Sequence, residues 1–173
     1  MNADATAVIN KINKKLGAGT IVKGSDIIDP PARFTSGSLS IDVALGGGWP
    51  PNQWHEIIGE ASNGKTALAL KTVAANQKLN PEFTTVWVAA EEWVTGYAAL
   101  CGVDASRVYV VSTNIMEEAY EAVIQFAESK AVDCIVIDSL PALVPSAEDD
   151  KEMEESTVGR GALLTNKFFR KVG

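Results

Sequence analysis

The eight residues Gly59 to Thr66, GEASNGKT, constrain this chain more than any other stretch. They fit the pattern G-x-x-x-x-G-K-[ST], in which backbone N–H groups wrap a phosphate while a lysine and a hydroxyl complete the cradle. Such a loop works between a strand and the start of a helix, whose positive end then faces the anion. The flanks suit that placement. His55-Glu56-Ile57-Ile58 reads as the strand leading in, and Lys65 to Gln77 as the helix leading out, ended by Asn80-Pro81. Gly59 and Gly64 permit backbone conformations and a close approach that side chains would block. Lys65 is expected on the β and γ phosphates of a nucleotide and the Thr66 hydroxyl on Mg²⁺. Glu60, Ala61, Ser62, Asn63 and Ala67 complete the expected nucleotide-contacting set.

Strands and helices alternate beyond the loop. Thr84 to Ala90 is a mostly apolar strand, Arg107 to Ser112 another, and Cys134-Ile135-Val136-Ile137 a further one that ends at Asp138. Between the last two, Met116, Ala119, Tyr120, Val123, Ile124 and Ala127 repeat at helical spacing, with Thr113 or Asn114 as N-cap. Continuously apolar strands alternating with helices predict an α/β fold with a parallel sheet covered on both faces. In such sheets ligands bind at the C-terminal strand edge, which is where Asp138 emerges as a second group for the metal. Hydrolysis also needs a group that activates water. The strand ending in AAEEW delivers Glu91 and Glu92 to the same edge, and the residues alone do not choose between them. His55, the only histidine, reads as structural.

The length suits one domain, and no apolar run approaches the ~18 residues of a membrane span. No segment resembles a secretory leader, which predicts a cytoplasmic location. Cys101 and Cys134 form no C-x-x-C and read as reduced core thiols. The net charge of −7 argues against wholesale attraction to nucleic acid, but charge is uneven. Lys11, Lys14, Lys15 and Lys23 cluster early, acids crowd Glu148 to Glu155, and Arg160, Lys167, Arg170 and Lys171 close the chain without an acid. Near the N-terminus Val8, Ile9, Ile12 and Leu16 share one helical stripe ended by Gly17, and the β-prone run Thr20-Ile21-Val22 follows. Leu39 to Leu45 reads as a short helix between glycine-rich and proline-rich turns.

Taken together, FTSGSLSIDVALGGGWPPNQWHEIIGEASNGKTALALKTVAANQ, then WVAAEE, GVDASRVYVVS and VDCIVIDSLPALVPSAE, resemble the ATPase core of the RecA recombinase family. The leading INKINKKLGAGTIVKGSD is similar to that family's N-terminal helix and strand. The resemblance implies a P-loop NTPase with an N-terminal helix-strand arm over residues 1–33 and a core over 34–173. It implies an ATP- and Mg²⁺-dependent enzyme that forms a homo-oligomeric filament on single-stranded DNA, with no membrane partner, in recombination and repair. By the same resemblance Glu91 is the water-activating acid, Tyr97 stacks on adenine, and Ser139, which follows the metal-site aspartate, joins the cofactor-binding residues. The segment around Glu148 to Val158 matches a DNA-facing loop, with Arg160 and Lys167 at its exit. Thr95 stands near where the family has an aspartate on the adenine. The chain stops inside the helix after that loop, ahead of the family's γ-phosphate sensor and second DNA loop. A non-catalytic nucleotide-binding protein that docks on a partner is the alternative reading.

Overall fold

The computed structural model describes residues 3–27, 32–146 and 159–172. The chain divides into two compact units, Met1–Ala32 and Arg33–Gly173.

In the first unit, α1 (Ala3–Leu16) carries Lys14 and Lys15 in its last turn, where cations suit the carbonyl end of a helix. The helix stops at Gly17, whose φ of +121° no side chain tolerates well and whose N–H bonds to the Asn13 carbonyl at 3.0 Å. The predicted strand at Thr20-Ile21-Val22 does not form. Asn13 accepts from the Ile21 N–H through Oδ1 at 2.7 Å and donates to the Ile21 carbonyl through Nδ2 at 2.9 Å. One side-chain amide therefore occupies both backbone groups that a ladder would use. The arm is a helix and a clamped turn.

The second unit is built on three parallel strands in the order β2–β1–β3: β1 (Thr85–Ala89) in the centre, β2 (Val108–Val111) on one side and β3 (Cys134–Asp138) on the other. Thr85 aligns with Val108 and with Cys134, so Ala89 and Asp138 reach the same edge together. Alternation along β1 explains its complete burial. Val86 and Val88 face α5 (Met116–Ser129), through Ala119, Tyr120 and Val123, and also meet Leu143, shortly after β3, and Phe168 of α6 (Arg160–Val172). Trp87 and Ala89 face α3 (Lys65–Leu79), through Leu70 and Val73, and pack with Ala98 of α4 (Thr95–Leu100). Helices thus cover both faces, as the apolar strands predict.

Two local expectations fail for identifiable reasons. His55-Glu56-Ile57-Ile58 is not a strand: β3 pairs only with β1 among the described residues, so this segment has no ladder, and Ile58 is 82% exposed. Neither Thr113 nor Asn114 caps α5. The N-cap is Ile115, and the Met116 N–H bonds to the Val144 carbonyl at 2.8 Å while the Val144 N–H bonds to that of Asn114 at 2.7 Å. A backbone exchange with Val144 satisfies the donor that a side-chain cap would have taken.

Ahead of the phosphate loop, α2 (Leu39–Ala44) is held by Asp42, which accepts from Thr35 Oγ1 at 2.5 Å and from the Ser36 N–H at 2.7 Å. Hydrogen bonding by the Ser36 side chain, then by the Thr35 hydroxyl and the Ser36 N–H, holds the Asp42 carboxyl below its usual range. Phe34 and Trp49 exchange backbone bonds at 2.7 and 2.9 Å, and Gly48 lies against them with φ +108°, where a Cβ would meet the Phe34 carbonyl oxygen. His55 Nε2 bonds to the Pro50 carbonyl at 2.8 Å, which fits a structural role. Both cysteines are free thiols, and burial, with the Asp133 charge second, pushes that of Cys134 up to about 12.

Candidate functional site

The loop from Gly59 to Gly64 turns through a weak bond from the Asn63 N–H to the Glu60 carbonyl at 3.4 Å and through Ser62, at φ +62°. Gly64 at φ +82° is the N-cap of α3 and offers no side-chain cap, and the first helical turn holds no acid. Its free N–H groups and partial positive charge therefore face the loop. Lys65 folds back over the loop, its Nζ donating to the Gly59 carbonyl at 2.9 Å and the Glu60 carbonyl at 2.7 Å. This ammonium is held over the ring of backbone that would surround a phosphate.

The sheet edge supplies the opposite wall. Thr66, in the first turn of α3, donates from Oγ1 to Asp138 Oδ2 at 2.9 Å, across 72 residues of sequence. The Asp138 carbonyl in turn accepts from the N–H groups of Ala90 and Glu91, at 3.1 and 3.2 Å, which ties the ends of β1 and β3 together. One residue on, Ser139 Oγ donates to Glu91 Oε1 at 3.1 Å. Glu92, the other acid of the pair, is exposed and makes no hydrogen bond among the described residues. A hydroxyl and one carboxylate converging on a point suit Mg²⁺, which takes few protein ligands and keeps several waters. No group of three or more His, Cys, Asp or Glu that could hold a metal occurs among the described residues, so the donor set fits a hard cation shared with phosphate and not an all-protein cage.

Burial raises the Asp138 carboxyl above its ordinary value of 3.8 and the nearby Glu91 charge adds to this, against the Thr66 hydrogen bond and the Lys65 charge. An acid whose folded pKa is raised favours folding most at low pH and loses that contribution as pH rises through the folded value. At neutral pH the ionised carboxylate without a cation is therefore a local cost. Asp138→Asn is expected to raise the melting temperature by about 1–3 °C in EDTA, a small fraction of a domain's stability, and to remove the Mg²⁺-dependent part of nucleotide binding. Calorimetry and nucleotide titration, each with Mg²⁺ and with EDTA, check both halves; a lowered melting temperature in EDTA contradicts the first.

A family profile described as RecA N-terminal domain matches residues 3–173. This chain belongs to that family. It is similar to Protein RecA of Rippkaea orientalis, at 40% identity over 167 residues, covering 95% of this chain and 47% of the relative. Protein RecA of Arthrospira platensis is 40% identical over 168 residues, covering 96% and 46%. Protein RecA of Kineococcus radiotolerans is 40% identical over 169 residues, covering 96% and 48%. The chain spans about half the length of these curated relatives. The α/β architecture with a parallel sheet flanked by helices is thus that of a RecA-family domain.

The remaining expected residues of this RecA-family chain lie elsewhere on the unit. Tyr97 is on α4, 43% exposed, and makes no side-chain hydrogen bond among the described residues. The Thr95 hydroxyl accepts from Trp93 Nε1 at 3.1 Å. Arg160 and Lys167 are exposed and two turns apart on α6, hence on one side of it. Burial raises the carboxyl of Glu117, but the Ser146 N–H and the Arg160 charge hold it below its usual range, which places Arg160 beside an acid. The expected DNA loop, Glu148 to Val158, lies outside the described residues. No helix among the described residues is long and apolar enough to cross a membrane.

Sequence reasoning missed Trp54. Its ring meets Phe168 edge-on at 5.2 Å and Phe169 at 5.0 Å, while Tyr120 stacks on Phe168 at 4.1 Å with its hydroxyl bonded to Thr165 Oγ1 at 2.7 Å. The only signal was a tryptophan in a turn-rich stretch, where nothing names its partner.

Proposed function

We propose that this chain is the nucleotide-binding part of a DNA-dependent ATPase that assembles on single-stranded DNA in homologous recombination and repair, in the cytoplasm. The observation that carries it is the convergence of Lys65, Thr66, Asp138 and Glu91 on one loop and one sheet edge. A glycine turn that merely capped a helix would need none of these four. The family membership and the RecA relatives support the same reading.

In this reading the loop amides and Lys65 hold the β and γ phosphates of ATP, and Thr66 with Asp138 holds the divalent cation. Mg²⁺ supplies charge neutralisation on the phosphates when bound. Glu91 accepts the proton of the attacking water, a task for which an ionised carboxylate beside a hydroxyl donor is suited. Tyr97 offers an exposed ring as a stacking surface for the base. The partly exposed stripe of α1, with Val8 55% and Leu16 64% exposed, docks on a neighbouring copy and builds a filament by head-to-tail contact.

DNA contact is assigned to Arg160, with Lys167 on the same side of α6. Acids dominate the segment before Arg160, so attraction to phosphate rests on these cations. Fluorescence anisotropy of a labelled oligonucleotide across a salt series, with a non-hydrolysable ATP analogue, is expected to show weak, salt-sensitive binding. Arg160→Ala should lower the log–log salt slope by about 0.7, the contribution of one phosphate contact on a single strand. Nucleotide binding without any DNA binding at low salt favours the alternative, a non-catalytic nucleotide-binding protein that docks on a partner.

A further inference from the structure

We infer that Ser139 is the positioning residue for Glu91: its hydroxyl fixes which way the water-activating carboxylate points. The inference rests on the hydrolytic reading above and assigns Ser139 a task beyond following the metal-site aspartate.

Three observations carry it. The Glu91 carboxylate has one hydrogen-bond donor among the described residues, Ser139 Oγ at 3.1 Å. Because an ionised carboxylate only accepts, the hydroxyl must be the donor, and its proton is directed at Oε1. The main chain of Glu91 is bound to the same place, since its N–H donates at 3.2 Å to the carbonyl of Asp138, the residue before Ser139. Backbone bond and side-chain bond together close a ring between the ends of β1 and β3. A glutamate anchored only by its backbone would sweep through its rotamers in solvent, because Glu91 is exposed. With Oε1 tied, the second oxygen is left for the water.

The third observation is the sharing of tasks within one dipeptide. Asp138 turns its side chain to Thr66 and Ser139 turns its own to Glu91. The group assigned to the cation and the group assigned to the base are therefore each held by one of two adjacent residues. Glu92 lacks any such tie, which gives a geometric reason for only one acid of the pair to act.

The test uses the full chain in five forms: parent, Ser139→Ala, Ser139→Thr, Glu91→Gln and the double variant Ser139→Ala with Glu91→Gln. Loss of one hydrogen bond to a charged group predicts about a tenfold fall in ATP turnover for Ser139→Ala, with nucleotide affinity within about twofold of the parent. Threonine keeps the hydroxyl and is expected to restore turnover to within about threefold. Added to Glu91→Gln, the alanine change should cost nothing more, since residues acting as one unit are not additive. Side-chain NMR of labelled glutamate supplies a readout independent of turnover: the Glu91 side chain should gain mobility in Ser139→Ala and regain order in Ser139→Thr. Equal Glu91 order in parent and alanine variant overturns the inference, as does equal turnover. If the parent binds nucleotide but never hydrolyses it while NMR shows the tie, the hydrolytic reading fails and the positioning contact stands.

Discussion

Lys65→Ala is expected to weaken nucleotide binding by about 100-fold or more, the scale of losing a charge-assisted contact with phosphate oxygens, while the fold persists. The two consequences separate because of where the ammonium sits. Its partners in the structure are the Gly59 and Glu60 carbonyls, both at the solvent-facing loop, and it lines no part of either apolar layer. Exposed bonds of that kind contribute at most about 1 kcal/mol, because water replaces them. The same ammonium facing a triphosphate meets several negative oxygens at once, beside the N-terminus of α3, whose first N–H groups have no intrahelical partner. Titration of a fluorescent nucleotide alongside a melting curve checks both. An affinity within threefold of the parent removes Lys65 from the site.

Glu91→Gln is expected to preserve nucleotide affinity and reduce hydrolysis by about 100-fold to 10,000-fold, the usual range for a positioned general base. Glutamine keeps the length and can still accept from Ser139, so the loop should retain its shape. What it loses is the basic oxygen. Glu92→Gln provides the internal control, because that side chain makes no hydrogen bond among the described residues and should change turnover little. Single-turnover rates for the two variants decide between them. Opposite behaviour would move the base one residue along the chain, and equal, unchanged rates would remove both acids from the chemistry.

The parts of the fold that were legible are those in which sequence pattern and burial coincide. Trp87, Val88 and Ala89 lie in an uninterrupted apolar run because β1 is central and covered on both faces. The stripe on α5 reads correctly because Ala119, Tyr120 and Val123 all face the sheet. His55-Glu56-Ile57-Ile58 has the composition of a strand, but a strand is a property of a pair, and composition does not say whether a neighbour is present. Thr20 to Val22 illustrates the same point, since Asn13 satisfies the Ile21 backbone from eight residues away. At the site, the glycines, lysine and hydroxyl were legible because their spacing is local. Which acid of the pair is tied to the neighbouring strand end was not, because the Glu91–Ser139 bond joins positions 48 residues apart and only strand register brings them together.

The aromatic contact of Trp54 has a mechanical consequence. Trp54 precedes the phosphate loop on the same extended segment, and its ring is wedged edge-on against Phe168 and Phe169 of the helix that starts at Arg160. Rings in that arrangement resist sliding, because the favourable edge-to-face geometry is lost within a small displacement. A shift of the segment that carries the loop would therefore disturb these ring contacts, at a cost of about 0.5–1.5 kcal/mol each. The indole of Trp54 is thus a direct side-chain link between the segment entering the loop and the helix that begins at Arg160.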